Sequence, residues 1–265
     1  MINAFFSFER EPFTRNLPAD KLFFSNGHQE LIARLRHAME SSYLAIFTGH
    51  VGSGKSTAFR SAMYSLDASR YRFIYLASSG LSPKEFYKSV LYQVSVTPAR
   101  GMAENKRLFA QAMLERGQKG IKTVLVIDEA HELAVPMISE LRFALNHQAD
   151  SYSPLGIVLL GQPYLREVLQ LQVLECIRQR ITVCYQVPSL VLDEVGPYIL
   201  HHLKLAGLDR QIFTDETTQL VAQFSKGVPR RINNICRNSL IAAMEAGSPV
   251  VDEKAVQKAL EDTLL

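Results

Sequence analysis

The chain has 265 residues, of which 47% are hydrophobic and 21% charged, enough apolar material for one large or two small buried cores. Its 29 Lys and Arg against 26 Asp and Glu leave a net charge of +3, which permits a nucleic-acid partner without demanding one. The 3 cysteines, Cys176, Cys184 and Cys236, are scattered with no CxxC spacing; this excludes a disulfide framework or zinc ribbon and predicts small buried hydrophobes in a reducing compartment.

No apolar run reaches the ~18 residues that cross a bilayer. The opening "MINAFFSFEREPF" sets charges directly after its phenylalanines and lacks a basic leader, so no signal peptide and a cytoplasmic location are expected. After this irregular aromatic segment, "HQELIARLRHAME" (28–40) has helical periodicity. Five apolar or alternating runs then recur: "YLAIFT" (43–48), "YRFIYLA" (71–77), "KTVLVID" (122–128), "LGIVLLG" (155–161) and "ITVCYQV" (181–187). Helical patterns fill the intervals at 55–66, 83–95, 103–116, 131–147 and 163–175. Strands alternating with helices predict parallel βαβ units whose sheet is buried on both faces. Beyond Val187-Pro188 only helical patterns remain, at about 193–206, 214–225, 229–246 and 252–263. The expected organisation is an α/β domain over 1–190 and a small all-helical domain over 191–265. The basic excess lies in the first part, which holds 21 basic and 16 acidic residues over 1–190 against 8 and 10 afterwards.

The chemistry begins at "GHVGSGKST" (49–57), which fits G-x-x-x-x-G-K-[ST] between a predicted strand and a predicted helix. Gly49, Gly52 and Gly54 allow a tight turn, in which the loop amides of Val51 and Ser53 and the helix N-terminus at Thr57 point toward phosphate. Lys55 supplies a point charge for the β- and γ-phosphates and Ser56 a hydroxyl for Mg²⁺. "TVLVIDEAH" ends a second strand in Asp128, suited to orient Mg²⁺ through its water shell, and Glu129, suited to polarise the attacking water. A helicase core needs two such domains, so "DEAH" is not read as one, and His131 is expected to start the next helix. Gln162 follows the strand "GIVLLG" and is either a γ-phosphate contact or a turn residue before Pro163. Arg178 and Arg180 precede the fifth strand, where an arginine can reach a neighbouring subunit's nucleotide or remain on the surface. Arg230 and Arg231 follow Gly227 and Pro229 at a helix start, where an arginine can fold onto the γ-phosphate or simply belong to the cap. His201-His202 lacks spaced metal-ligand partners and is expected at the surface or in helical packing.

These motifs, in this order, resemble AAA+ ATPases, and specifically the ExeA-like (general secretion pathway A) modules and the related transposition regulators of the TnsC, TniB and MuB kind. The likeness takes in the Pro-Phe pair of the N-terminal segment, "GHVGSGKST", "VLVIDEAHEL", "GIVLLGQPYLREVL", "RQRITVCYQV" and "GVPRRINNIC". It implies a three-layer αβα P-loop NTPase domain with a five-stranded parallel sheet, followed by an all-α lid. It further implies Mg²⁺-dependent ATP hydrolysis, with Lys55 and Ser56 on phosphate and metal and Asp128 and Glu129 as the Walker B pair. Gln162 takes the sensor 1 position, where the family often has Asn or Thr. Arg180, or Arg178 beside it, becomes the arginine finger and Arg230 sensor 2. Pro12 and Phe13, within the segment 1–27, are placed near adenine.

Secretion-type relatives continue into a transmembrane helix, so this sequence is expected to act on cytoplasmic partners. The favoured expectation is self-association as a ring or filament on duplex DNA, with recruitment of a transposase-like protein. Lys84, Lys88, Arg100, Lys106 and Arg107 are the candidate DNA contacts, against the plainer reading of a solvated helical face. The alternatives are an ExeA-like assembly or secretion ATPase acting on a membrane-protein partner, and a nucleotide-dependent signalling switch.

Overall fold

The computed structural model describes residues 1–14, 17–77, 80–145, 153 and 155–263. In chain order its helices are α1 (Ile2–Phe6), α2 (Asn26–Glu40), α3 (Lys55–Tyr64), α4 (Pro83–Gln93), α5 (Met102–Gln118), α6 (Val135–Leu145), α7 (Tyr164–Val168), α8 (Glu175–Arg178), α9 (Leu192–Leu205), α10 (Asp215–Ser225), α11 (Pro229–Glu245) and α12 (Glu253–Thr263). Its strands are β1 (Leu44–Thr48), β2 (Tyr71–Ala77), β3 (Lys122–Asp128), β4 (Leu155–Gly161) and β5 (Ile181–Gln186). The chain divides into two compact units, one of Met1–Gln29, His50–Gly54 and Pro188–Leu265, the other of Glu30–Gly49 and Lys55–Val187.

The unit built on Glu30–Gly49 and Lys55–Val187 is an α/β layer structure. Its five strands are parallel in the order β2-β3-β4-β1-β5. Residue composition follows that order. The central strands β1 and β4 are buried at every position, whereas the edge strands β2 and β5 alternate with solvent and carry the polar residues. One sheet face presents Ile46, Leu125, Ile127 and Leu159 to Phe86, Met113, Ile138 and Leu141 of α4, α5 and α6. The other presents Phe47, Val126, Val158 and Leu160 to Leu31 and Leu35 of α2 and to Ala58 and Phe59 of α3. Helix α4 starts where Ser82 and Glu85 close a reciprocal capping box with Pro83 at its first position. In this order the chain leaves β1 for the far edge of the sheet, so the carboxyl ends of β1, β4 and β3 form the switch point where open α/β sheets hold ligands.

The other unit is helical. Phe6, Phe8 and Phe13 of the N-terminal segment are buried with Val195, Tyr198, Leu203, Phe213, Ile232, Ile235, Leu240 and Val256 of the α9–α12 region. The segment expected to be irregular therefore contains α1 and groups with the C-terminal helices. Thr214 caps α10 by accepting from the Thr217 amide at 3.3 Å, and Asp252 caps α12 by accepting from Ala255 at 2.9 Å. His202 is buried at 4% exposure, while His201 contacts the Lys21 carbonyl through Nε2 at 2.9 Å.

Two expected helices differ. The pattern over 131–147 is a 3-10 turn, Ala130–Glu132, followed by α6, and its expected residues 146 and 147 lie outside the described residues. The pattern over 163–175 is α7, a 3-10 turn at Gln172–Leu174 and α8. Leu165, Leu169, Leu174 and Ile177 are all buried, and their uneven spacing cannot stay on one face of a straight helix. The cysteines also depart from expectation. Cys176 and Cys184 are exposed, and only Cys236 is buried. Cys184 takes an outward position of the alternating edge strand β5, beside buried Val183, and Cys176 an outward position of α8, beside buried Ile177. Among the described residues no helix is long and apolar enough to cross a membrane.

Candidate functional site

In the sheet unit, Lys55 opens α3 directly after the glycine loop and is only 7% exposed. Its Nζ donates to the Gly49 carbonyl at 2.8 Å, tying the start of α3 to the end of β1. Ser56 Oγ donates to Asp128 Oδ2 at 2.8 Å, joining the start of α3 to the tip of β3. The Glu129 amide donates to the other Asp128 oxygen at 2.9 Å. The Tyr75 hydroxyl of β2 also donates to Oδ2. Burial, and then this bond to Asp128, raise the phenol's pKa well above its ordinary value. Tyr75 is absent from the sequence-based set. The signal was its register, since parallel pairing sets Ala77 beside Asp128 and brings Tyr75 two residues back along the same edge.

Glu129 departs from β3 in the left-handed region, at φ 53°, with its carboxylate half-exposed. A non-glycine residue there carries a local backbone cost. That reversal starts the 3-10 turn and brings His131 under Gln162, with the two Nε2 atoms 2.8 Å apart. His131 Nδ1 lies 3.5 Å from Glu129 Oε2. It is buried and makes no hydrogen bond. His131, expected only to begin a helix, thus joins Glu129 and Gln162 in one cluster.

The helical unit contains the loop tip. Gly52 and Gly54 take φ of 81° and 92°, which the phosphate-cradling turn requires and other residues resist. The Arg230 amide donates to the Gly52 carbonyl at 3.3 Å, and a Cβ on Gly52 would come within 2.4 Å of the Arg230 Cβ. Arg230 and Arg231 occupy the first turn of α11, which carries no acidic residue. Cations there oppose the helix dipole, a local cost that an anionic ligand would relieve. The His28 ring also lies against the loop, about where a Gly54 Cβ would meet it at 3.3 Å. Burial lowers its pKa, and its Nε2 has no hydrogen-bond partner. Nothing in the local sequence pattern singled it out.

The remaining candidates are distributed as follows. Val51 is exposed and Thr57 half-buried on α3. Pro12 and Phe13 are buried, and the Phe13 ring stacks on His202 at 5.3 Å with Phe213 at its edge. Arg178 donates to the Leu169 and Gln170 carbonyls at 3.4 and 3.1 Å. Arg180 is half-buried in the turn entering β5. Of the candidate DNA contacts, Lys106 is paired at 2.7 Å with Glu140, which also accepts from Tyr87, and Arg107 is paired with Glu104 at 2.7 Å. Lys84 and Arg100 are exposed and Lys88 is half-buried.

The chemistry of these groups fits a magnesium nucleotide. Ser56 and Asp128 offer hard oxygen donors of the kind Mg²⁺ takes alongside substrate phosphates. Lys55, in the same unit, adds a buried ammonium.

The AAA domain family model matches residues 35–169, slightly more than half of the chain. General secretion pathway protein A of Aeromonas hydrophila is 30% identical over 251 residues, a match covering 94% of this chain and 46% of that protein. The chain therefore spans less than half the length of that relative. Cdc6p from Pyrobaculum aerophilum has the same fold, with a TM-score of 0.70 at 17% identity over 99% of this chain and 71% of its own. Drosophila ORC, solved bound to DNA, gives 0.68 at 16% identity over 100% of this chain and 65% of its own. With the matched residues running from α2 through β1, β3 and β4, the chain belongs to the AAA domain family of ATPases.

Proposed function

We propose that this chain binds ATP with Mg²⁺ and hydrolyses it, using Lys55, Ser56, Asp128 and Glu129. The observation that carries the reading is the 2.8 Å bond from Ser56 to Asp128, which unites the two motifs at one point beside Lys55. Lys55 and the loop amides hold the β- and γ-phosphates, and Ser56 and Asp128 hold the cation. A bound magnesium ion supplies charge neutralisation on the phosphates. Glu129 orients and deprotonates the attacking water, Gln162 contacts the γ-phosphate, and Arg180 acts on a neighbouring copy's nucleotide. Arg230 contacts the γ-phosphate from the helix start that adjoins Gly52. The test is steady-state ATP turnover with and without Mg²⁺. Glu129→Gln retains ATP binding and loses about 10²-fold in kcat; unchanged turnover removes Glu129 from the role.

The client we propose is duplex DNA, on which the chain self-associates and recruits a transposase-like protein. Support comes from the basic excess before residue 190 and from a fold shared with a protein solved on DNA. The contacts would centre on Lys84, Lys88 and Arg100, because Lys106 and Arg107 already have carboxylate partners. A second reading, an assembly ATPase working with a membrane-protein partner, is favoured by the 30% identity to general secretion pathway protein A.

A further inference from the structure

We infer that His131 is a positioning residue that orients Glu129 and couples it to Gln162. This inference rests on the hydrolytic reading of the site. The Gln162 amide nitrogen is a donor only, so with this atom 2.8 Å from His131 Nε2, the ring nitrogen must accept. The neutral imidazole then carries its proton on Nδ1, the atom that faces Glu129 Oε2 at 3.5 Å. That distance is too long for a hydrogen bond, and Nδ1 is buried without another partner. A buried donor left unmade is costly. The arrangement therefore favours a sub-ångström closure of the Glu129 carboxylate onto Nδ1–H, which fixes the carboxylate's direction.

The backbone is built for this approach. Gly161, the last residue of β4, lies so near the turn that a Cβ there would sit 3.2 Å from the His131 amide nitrogen. The left-handed Glu129 backbone turns the chain so that residues 129 and 131 face each other. A ligand contact that moves Gln162 is thereby transmitted through one rigid ring to Glu129. No step in this chain requires His131 to change charge. Its role is the placement of a donor.

The experiment compares ATP turnover, nucleotide affinity and thermal unfolding for His131→Ala, His131→Asn and His131→Gln. Asparagine places an amide near the position of Nδ1 and can still donate to Glu129. Glutamine reaches the position of Nε2 and Gln162 but leaves Glu129 without its donor. Expected are a loss of roughly 10- to 100-fold in kcat for Ala and Gln, with KM for ATP within about twofold, and substantial recovery for Asn. In a Glu129→Gln background, His131→Ala adds little further loss, because the group it positions no longer acts as a base. Unchanged kcat in the Ala variant, equal losses in Asn and Gln, or a full additional loss in the Glu129→Gln background overturns the inference. So does a loss that appears wholly as a lower unfolding temperature. Wild-type protein that does not turn over ATP overturns the hydrolytic reading itself, and this inference falls with it.

Discussion

Asp128 accepts from Ser56 and Tyr75 on one oxygen and from the Glu129 amide on the other. Ser56 and Asp128 were readable from spacing because each belongs to a contiguous motif. Tyr75 was not, because strand pairing rather than sequence neighbourhood brings it to Asp128. His202 shows the same limit in the helical unit. Adjacent histidines gave no sign of which would be buried, yet His202 is enclosed with Phe13 and Tyr198. Burial first, and the neighbouring His201 second, push its pKa down to about 4 from 6.5. The fold therefore holds it neutral, while the unfolded chain binds a proton below about pH 6.5. Its stabilising contribution is complete above pH 6.5 and declines as pH falls toward 4, by up to about 3 kcal/mol. Urea unfolding at pH 7.5 and pH 5 measures this. The wild type loses stability at the lower pH, and His202→Phe, which keeps a ring against Phe13, loses less; equal losses would contradict the assignment.

At the scale of elements, β2, β3 and β4 have the boundaries read from the sequence, because apolar runs of this length between helical patterns have few other uses in a parallel sheet. Helix α1 was missed because five residues without a side-chain cap offer neither periodicity nor a start signal. The 3-10 turn before α6 was missed because it depends on the left-handed Glu129 backbone, which no propensity predicts. The glycine loop was legible as a motif, but its seat against α11 was not. That seat predicts the effect of Gly52→Ala. The substitution costs about 1–2 kcal/mol for the left-handed backbone alone, and the added methyl group meets the Arg230 Cβ. Thermal unfolding should fall by several degrees. Arg230→Gly in the same chain removes the colliding atom and should recover part of the loss; no recovery would mean that the close approach is not the cause.

For the whole molecule, sequence reading reached the fold class, and the strand order and family match support it. The client is less legible, because charge counts do not show which cations are already paired. Lys106 illustrates this: its partner is a buried glutamate on α6, far away in sequence, a pairing that sequence does not display. If duplex DNA is the client, binding in the presence of a non-hydrolysable ATP analogue is sequence-tolerant and falls steeply between 50 and 200 mM salt, by about 10-fold or more for a few phosphate contacts. Lys84→Glu with Lys88→Glu should weaken binding and reduce the salt slope, measured by fluorescence anisotropy. Absence of binding with the analogue would reject DNA and favour the assembly reading.

All these expectations depend on one convergence: an ammonium at the end of the loop and a carboxylate at the tip of β3 holding a single magnesium triphosphate. Calorimetric titration of the protein with ATP in excess Mg²⁺ tests it most directly. The account predicts one saturable site per chain in the wild type and none in Lys55→Ala at the same concentrations, because removing the cation leaves the phosphate charge uncompensated. A wild type that takes up no heat, or a Lys55→Ala variant that binds equally well, would contradict it.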